Sequence, residues 1–129
     1  MHISLKMTAA VIGSFVLGAG VIQALHAQAK PPAYVVFEIA VKDKEAYNTG
    51  FLKDAQKVIF DHGGKYVAGG YDKTMSLSGA PLPNRVGILQ FANVDAVKAW
   101  WDGGGRDIQE KVGSKYADFR IFAVEGVQQ

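Results

Sequence analysis

Cysteine is missing from this chain altogether. Its absence excludes a disulfide framework, a thiolate nucleophile and every cysteine-based zinc or iron–sulfur site. An excess of charge of either sign is missing too. Fourteen Lys and Arg face twelve Asp and Glu, for a net charge of +2, which leaves no electrostatic footprint for nucleic acid. Histidine is scarce, and beyond residue 29 only His62 remains. With no second histidine near it in sequence, a histidine-based metal site is not expected. Neither Ser-His-Asp order, G-x-S-x-G nor H-E-x-x-H occurs. What is present is ordinary for a globular chain: 129 residues, 49% of them hydrophobic and 20% charged. That is one domain, or one domain and a tail, and it argues against disorder.

The first 29 residues have the three-part order of a secretory signal peptide. Lys6 supplies a positive charge, an apolar run extends from Met7 to Ile22, and Ala27 and Ala29 form an A-x-A cleavage site. The expectation is cleavage after Ala29 and a periplasmic or secreted domain over residues 30–129. The alternative is an uncleaved membrane anchor, because the run is slightly long for a signal core. After cleavage no stable membrane association is expected.

The rest of the chain alternates strand and helix patterns. Tyr34 to Val41 is β-branched and aromatic and reads as a strand. Its two faces are Val35, Phe37, Ile39, Val41 and Tyr34, Val36, Glu38, Ala40. Asp43 caps a helix from Lys44 to about Asp61, with Tyr47, Phe51, Ala55, Val58 and Ile59 as its apolar stripe. His62-Gly63-Gly64 stops it. A second strand begins near Lys65, is interrupted at Gly69-Gly70 as at a bulge or bend, and resumes over Asp72 to Ser78. After the turn region Gly79 to Asn84, Arg85 to Phe91 is the third strand. Ala92 to Trp101 is a short helix capped by Asn93. Gly103-Gly104-Gly105 reads as a flexible break, although glycines before a helix could also cradle an anion. Arg106 to Tyr116 is helical again, and Phe119 to Glu125 is the last strand. The order β-α-β-β-α-β predicts an α+β, ferredoxin-like antiparallel sheet with both helices on one face.

Several of these segments together resemble bacterial domain-of-unknown-function family 1330. They are Ala33-Tyr34-Val35-Val36, Glu45-Ala46-Tyr47, Asp61-His62-Gly63-Gly64-Lys65-Tyr66, Gly69-Gly70, Arg85 to Phe91, Ala99-Trp100-Trp101 and Val124-Glu125-Gly126. The family is similar to the dimeric α/β-barrel superfamily. The resemblance implies a homodimer whose two sheets pack face to face into a barrel. Independently, Tyr34, Val36 and Ala40 make a sheet face too apolar for water. Where relatives often carry a Ser-x-x-Tyr stretch, this chain has Gly103 to Gln109, so a site role of that tyrosine does not carry over.

Candidate site residues follow from position. Glu38 falls mid-strand on an apolar face, where a carboxylate must be paired, act as a base or anchor a ligand. His62 could be a general base, or could cap its helix. Tyr34 and Gln90 would project from the sheet towards a ligand, and Gln90 could equally be a satisfied amide at an interface. Arg85 could hold a carboxylate, as could Arg106 and Arg120, unless each pairs with an aspartate. Trp100 could line a pocket with Tyr66, Tyr71 and Trp101, or simply fill the core. Three functions remain open: binding a small, partly apolar molecule; a cofactor-independent enzyme, by proton transfer or monooxygenase-like chemistry, with Glu38 or His62 as base; and a structural or interaction module without a ligand.

Overall fold

The computed structural model describes residues 30–128. The signal-peptide reading of residues 1–29 lies outside them. Strand β1 (Ala33–Val41) runs through the middle of a four-stranded sheet of order β2-β3-β1-β4. Its neighbours are β3 (Arg85–Phe91) and β4 (Ala117–Glu125), and β2 (Lys65–Tyr71) forms the far edge beside β3. Every pairing is antiparallel. With the two helices on one side, this is the ferredoxin-like arrangement that the element order predicts.

Helix α1 covers residues 44–61 as Lys44–Tyr47, a wide π-type turn Asn48–Leu52, and Lys53–Asp61. The Asp43 carboxylate accepts the Ala46 N–H at 3.1 Å, satisfying a donor that no helical carbonyl can reach. At the other end, Gly63 N–H donates to the Phe60 carbonyl and Gly64 N–H to Ile59, both at 3.0 Å. With Gly63 at φ +78°, this is a Schellman stop. Helix α2 covers residues 94–111 as Val94–Trp100, a second π-type turn Trp101–Gly105, and Arg106–Lys111. Asn93 caps it through a 2.9 Å bond from Ala96 N–H. A short 3₁₀ turn, Gly113–Lys115, leads into β4.

Alternation along β1 sorts the sheet into two faces. Ala33, Val35 and Ile39 are buried under the helices, together with Leu89 and Phe91 of β3. One buried cluster gathers Val35, Ile59, Leu89, Phe91, Val97 and Trp100. The other gathers Ile39, Tyr47, Phe51, Ala55 and Ala117. The opposite face carries Tyr34, Val36 and Glu38, with their register partners Gln90, Ile88 and Val86 on β3 and Val124, Phe122 and Arg120 on β4. Phe122 is 40% and Val124 49% exposed.

Three local expectations are revised. Asp72 to Ser78 does not resume the second strand, because Asp72 takes a left-handed conformation (φ 54°) that turns the chain out of the sheet. Asn84 closes the excursion: its amide accepts from Val41 N–H at 2.9 Å and donates to Val41 C=O at 3.0 Å. Gly69-Gly70 does not interrupt β2; the register shifts one step earlier, between Tyr66 and Ala68. The run Gly103 to Gly105 is packed rather than loose. Gly104 turns the helix at φ +135°, and a Cβ on Gly103 would sit 2.6 Å from the His62 ring.

Candidate ligand cleft

The sequence-predicted site residues do not converge on one place. Glu38, Tyr34 and Gln90 share the open sheet face. There the Glu38 carboxylate receives the Arg120 Nε at 3.2 Å, directly across the β1–β4 ladder. Arg120 is 76% exposed, so the pair contributes little, about 0–1 kcal/mol. His62 caps α1, with Nδ1 2.9 Å from the Val58 carbonyl, and its other ring nitrogen faces Gly103. Trp100 is only 4% exposed and packs in the core, while also lining a groove beside Trp101. Its ring lies 6.0 Å from Phe37 and 5.4 Å from Phe91. Arg85 stands apart from all of these, on the helix side of the sheet.

A cleft opens around Arg85. Its outer part, about 290 Å³, is bounded by Gln56, Tyr66, Ala68, Gly69, Gly70, Arg85 and Gly87. An inner crevice of about 30 Å³ shares Tyr66, Arg85 and Gly87 with it and ends against Phe37, Ile39, Tyr47 and Phe51. The inner crevice has room for little more than a water. The outer part exists because the sheet is bare there. Gly69 and Gly87 are register partners on β2 and β3, so two adjacent positions lack side chains. A Cβ built on Gly87 meets nothing within 4 Å.

Tyrosines surround the Arg85 guanidinium. Its carbon lies 4.7 Å from the Tyr71 ring centre and 5.7 Å from that of Tyr47, within cation–π range. Tyr71 is held by a 2.9 Å bond from its hydroxyl to Asn48 in the π-type turn of α1, and Lys44 approaches the same ring at 4.4 Å. Burial pushes the Tyr47 hydroxyl up to about 12, with the Arg85 charge opposing the shift. Burial also raises Tyr66 and Tyr71, again against Arg85. These phenols are therefore neutral at physiological pH and do not neutralise the guanidinium, although the Tyr47 and Tyr66 hydroxyl oxygens accept hydrogen bonds from it.

Tyr47 gives a testable linkage. Its pKa is higher folded than unfolded, so its contribution to stability is complete below pH 10 and is lost as pH rises towards 12. A shift of two units corresponds to about 2–3 kcal/mol. Urea unfolding at pH 9 and pH 11.5 should show about two thirds of that loss, roughly 2 kcal/mol, in the wild type and a clearly smaller one in Tyr47→Phe. Equal losses would mean that other groups control alkaline unfolding.

A wider groove of about 500 Å³ lies between α2 and β4, beside Trp101 and Ile121. It is larger but chemically quieter, because its Arg106 already binds Asp102 at 3.2 Å and lies over the Trp101 ring. Among the described residues no group of three His, Asp or Glu could hold a metal ion, and no helix is long and apolar enough to cross a membrane.

Fold and cleft together define a ferredoxin-like α+β domain with an arginine-bearing cleft between sheet and helix. The chain belongs to the family described as Domain of unknown function (DUF1330), whose profile matches residues 32–127. Two crystal structures are similar in fold. One is the RPA0582 protein of unknown function from Rhodopseudomonas palustris, at 16% identity and a TM-score of 0.57, covering 85% of this chain and 94% of that one. The other is methylated RPA0582 protein, at 19% identity and a TM-score of 0.57, covering 84% and 90%. No curated protein matches.

Arg85, Tyr66 and Tyr71 were legible as candidates in the sequence. Gln56, Tyr47 and Gly87 were not. The one available signal was a glycine in the middle of an otherwise apolar β-branched strand, which marks a close approach or an open space.

Proposed function

We propose that this protein is an exported homodimer that binds a small, partly apolar molecule in the Arg85 cleft. One observation carries the binding site: Arg85 is half-buried at the cleft yet has no carboxylate within 4 Å among the described residues. Both other arginines do, Arg106 with Asp102 and Arg120 with Glu38. A partly desolvated cation beside an open cleft favours an external partner. The homodimer reading rests on the open sheet face, where Val36, Ile88, Phe122 and Val124 leave an apolar surface of the kind that a second subunit covers. Export rests on the order of charge, apolar run and A-x-A in residues 1–29. Glu38 and His62 are engaged with Arg120 and the Val58 carbonyl, and neither lines the cleft. Binding is therefore a better-supported reading than catalysis by either residue.

Native mass spectrometry of protein recovered from the periplasm reads all three elements at once. The expected species is a dimer of chains beginning at Lys30, carrying a small co-purified mass that is lost in Arg85→Gln. A monomer beginning at Met1 with no adduct would overturn the proposal.

A further inference from the structure

We infer that the cleft takes a small monocarboxylate with a short, flat apolar body, its carboxylate on Arg85 and its body on the glycine floor. The inference rests on the cleft-binding reading above and adds the ligand's class. Charge is the first argument. Arg85 is the one cationic side chain that lines the cleft. Its other polar side chains, Tyr47, Tyr66 and Gln56, are neutral hydrogen-bonding groups, and the two tyrosine hydroxyls use only part of the five N–H donors of Arg85. One net positive charge suits a monoanion better than a phosphate dianion. The planar guanidinium fork also matches a carboxylate with two parallel hydrogen bonds. Lys44, over the same Tyr71 ring that Arg85 approaches, adds to the positive field there.

Shape is the second argument. The Gly69–Gly87 pair leaves backbone as the surface beside Arg85, and the space above Gly87 is empty. A planar group can lie on that floor at van der Waals distance, where a side chain would hold it off. Size is the third. The outer cleft, about 290 Å³, is at the bottom of the usual range of roughly 300–1,000 Å³ for ligand pockets. A compound of benzoate size fits that volume, and the inner crevice of about 30 Å³ accepts no long tail.

The experiment titrates the purified protein with sodium benzoate, benzyl alcohol and sodium phosphate at constant ionic strength. The backbone amides of Gly69 and Gly87 are followed by NMR. Benzoate should shift both and saturate, benzyl alcohol should bind at least tenfold more weakly, and phosphate likewise. Arg85→Lys keeps the charge but loses the fork, and should weaken benzoate at least tenfold. Gly87→Ala adds a Cβ that meets nothing within 4 Å, so it should fold as well as the wild type while binding benzoate at least tenfold more weakly. Benzyl alcohol matching benzoate at these amides would overturn the carboxylate class and leave small-molecule binding standing. Phosphate matching benzoate would replace the carboxylate with a general anion. A folded Gly87→Ala that binds benzoate undiminished would overturn the glycine floor. Amides silent to every probe would overturn both the inference and the cleft reading beneath it.

Discussion

Gly69→Ala is expected to lower stability by more than about 3 kcal/mol, a fall in Tm of at least roughly 12 °C. Two penalties coincide there. Gly69 has φ +106°, a conformation that an L side chain rarely adopts. An added Cβ would also run into the backbone of the neighbouring strand, at the Val86 carbonyl oxygen and the Gly87 Cα. Backbone cannot rotate aside as a side-chain tip can, so β2 would have to part from β3. Gly63→Ala is the control. It has a positive φ of 78° but nothing within 4 Å, so it should cost only about 1 kcal/mol. Thermal melts followed by circular dichroism distinguish the two. Equal melting temperatures would show that the close approach at Gly69 carries no energetic weight.

Trp100→Ala is expected to cost about 3–5 kcal/mol, the usual range for removing a buried large aromatic side chain. The indole joins strand and helix: it meets Phe37 of β1 edge-on and Phe91 of β3 at a tilt, with Trp101 5.4 Å away. It also lies where a Cβ on Gly105 would stand, 2.7 Å from the ring. That chain turn is shaped around the indole and cannot collapse into the space it leaves. Calorimetry should show Tm falling by roughly 15–30 °C. A fall of only a few degrees would mean that Trp101 swings in to replace it. Trp100→Phe, which keeps an aromatic in place, should recover part of the loss.

Strand and helix order was legible because it is written locally. The alternation in Tyr34 to Val41, the Asp43 and Asn93 caps and the His62-Gly63-Gly64 stop each depend on a few neighbouring residues. The cleft was legible only in part. Arginine at position 85 is plain in the sequence, but its lack of a carboxylate partner depends on where Asp102, Asp118 and Glu38 end up. The meaning of Gly87 depends on which residue lies across from it. That residue is Gly69 only because the register shifts between Tyr66 and Ala68, which no local pattern announces. Asp72 to Ser78 failed for a related reason: extended-looking composition says nothing about whether a strand partner is within reach. The three glycines of α2 looked loose because sequence shows their freedom and not their neighbours.

The wide turn in α1 acts as a phase adjustment. Tyr47, Phe51, Ala55 and Ile59 are all buried, and they recur every four residues. On a uniform helix of 3.6 residues per turn, such a row drifts by about 40° at each step and would wind away from the sheet. The stretch Asn48–Leu52 has a longer repeat, which takes up part of that drift and keeps the row facing one surface. Chain length in this stretch is therefore constrained in addition to the side chains of Asn48, Gly50 and Phe51. Thr49 is exposed and can change character, whereas removing any one of the five would turn Ile59 by about 100° relative to Tyr47. The helix would then present Gln56 and Phe60 to the sheet in place of Ala55 and Ile59, and the wall of the cleft beside Arg85 would rotate with it.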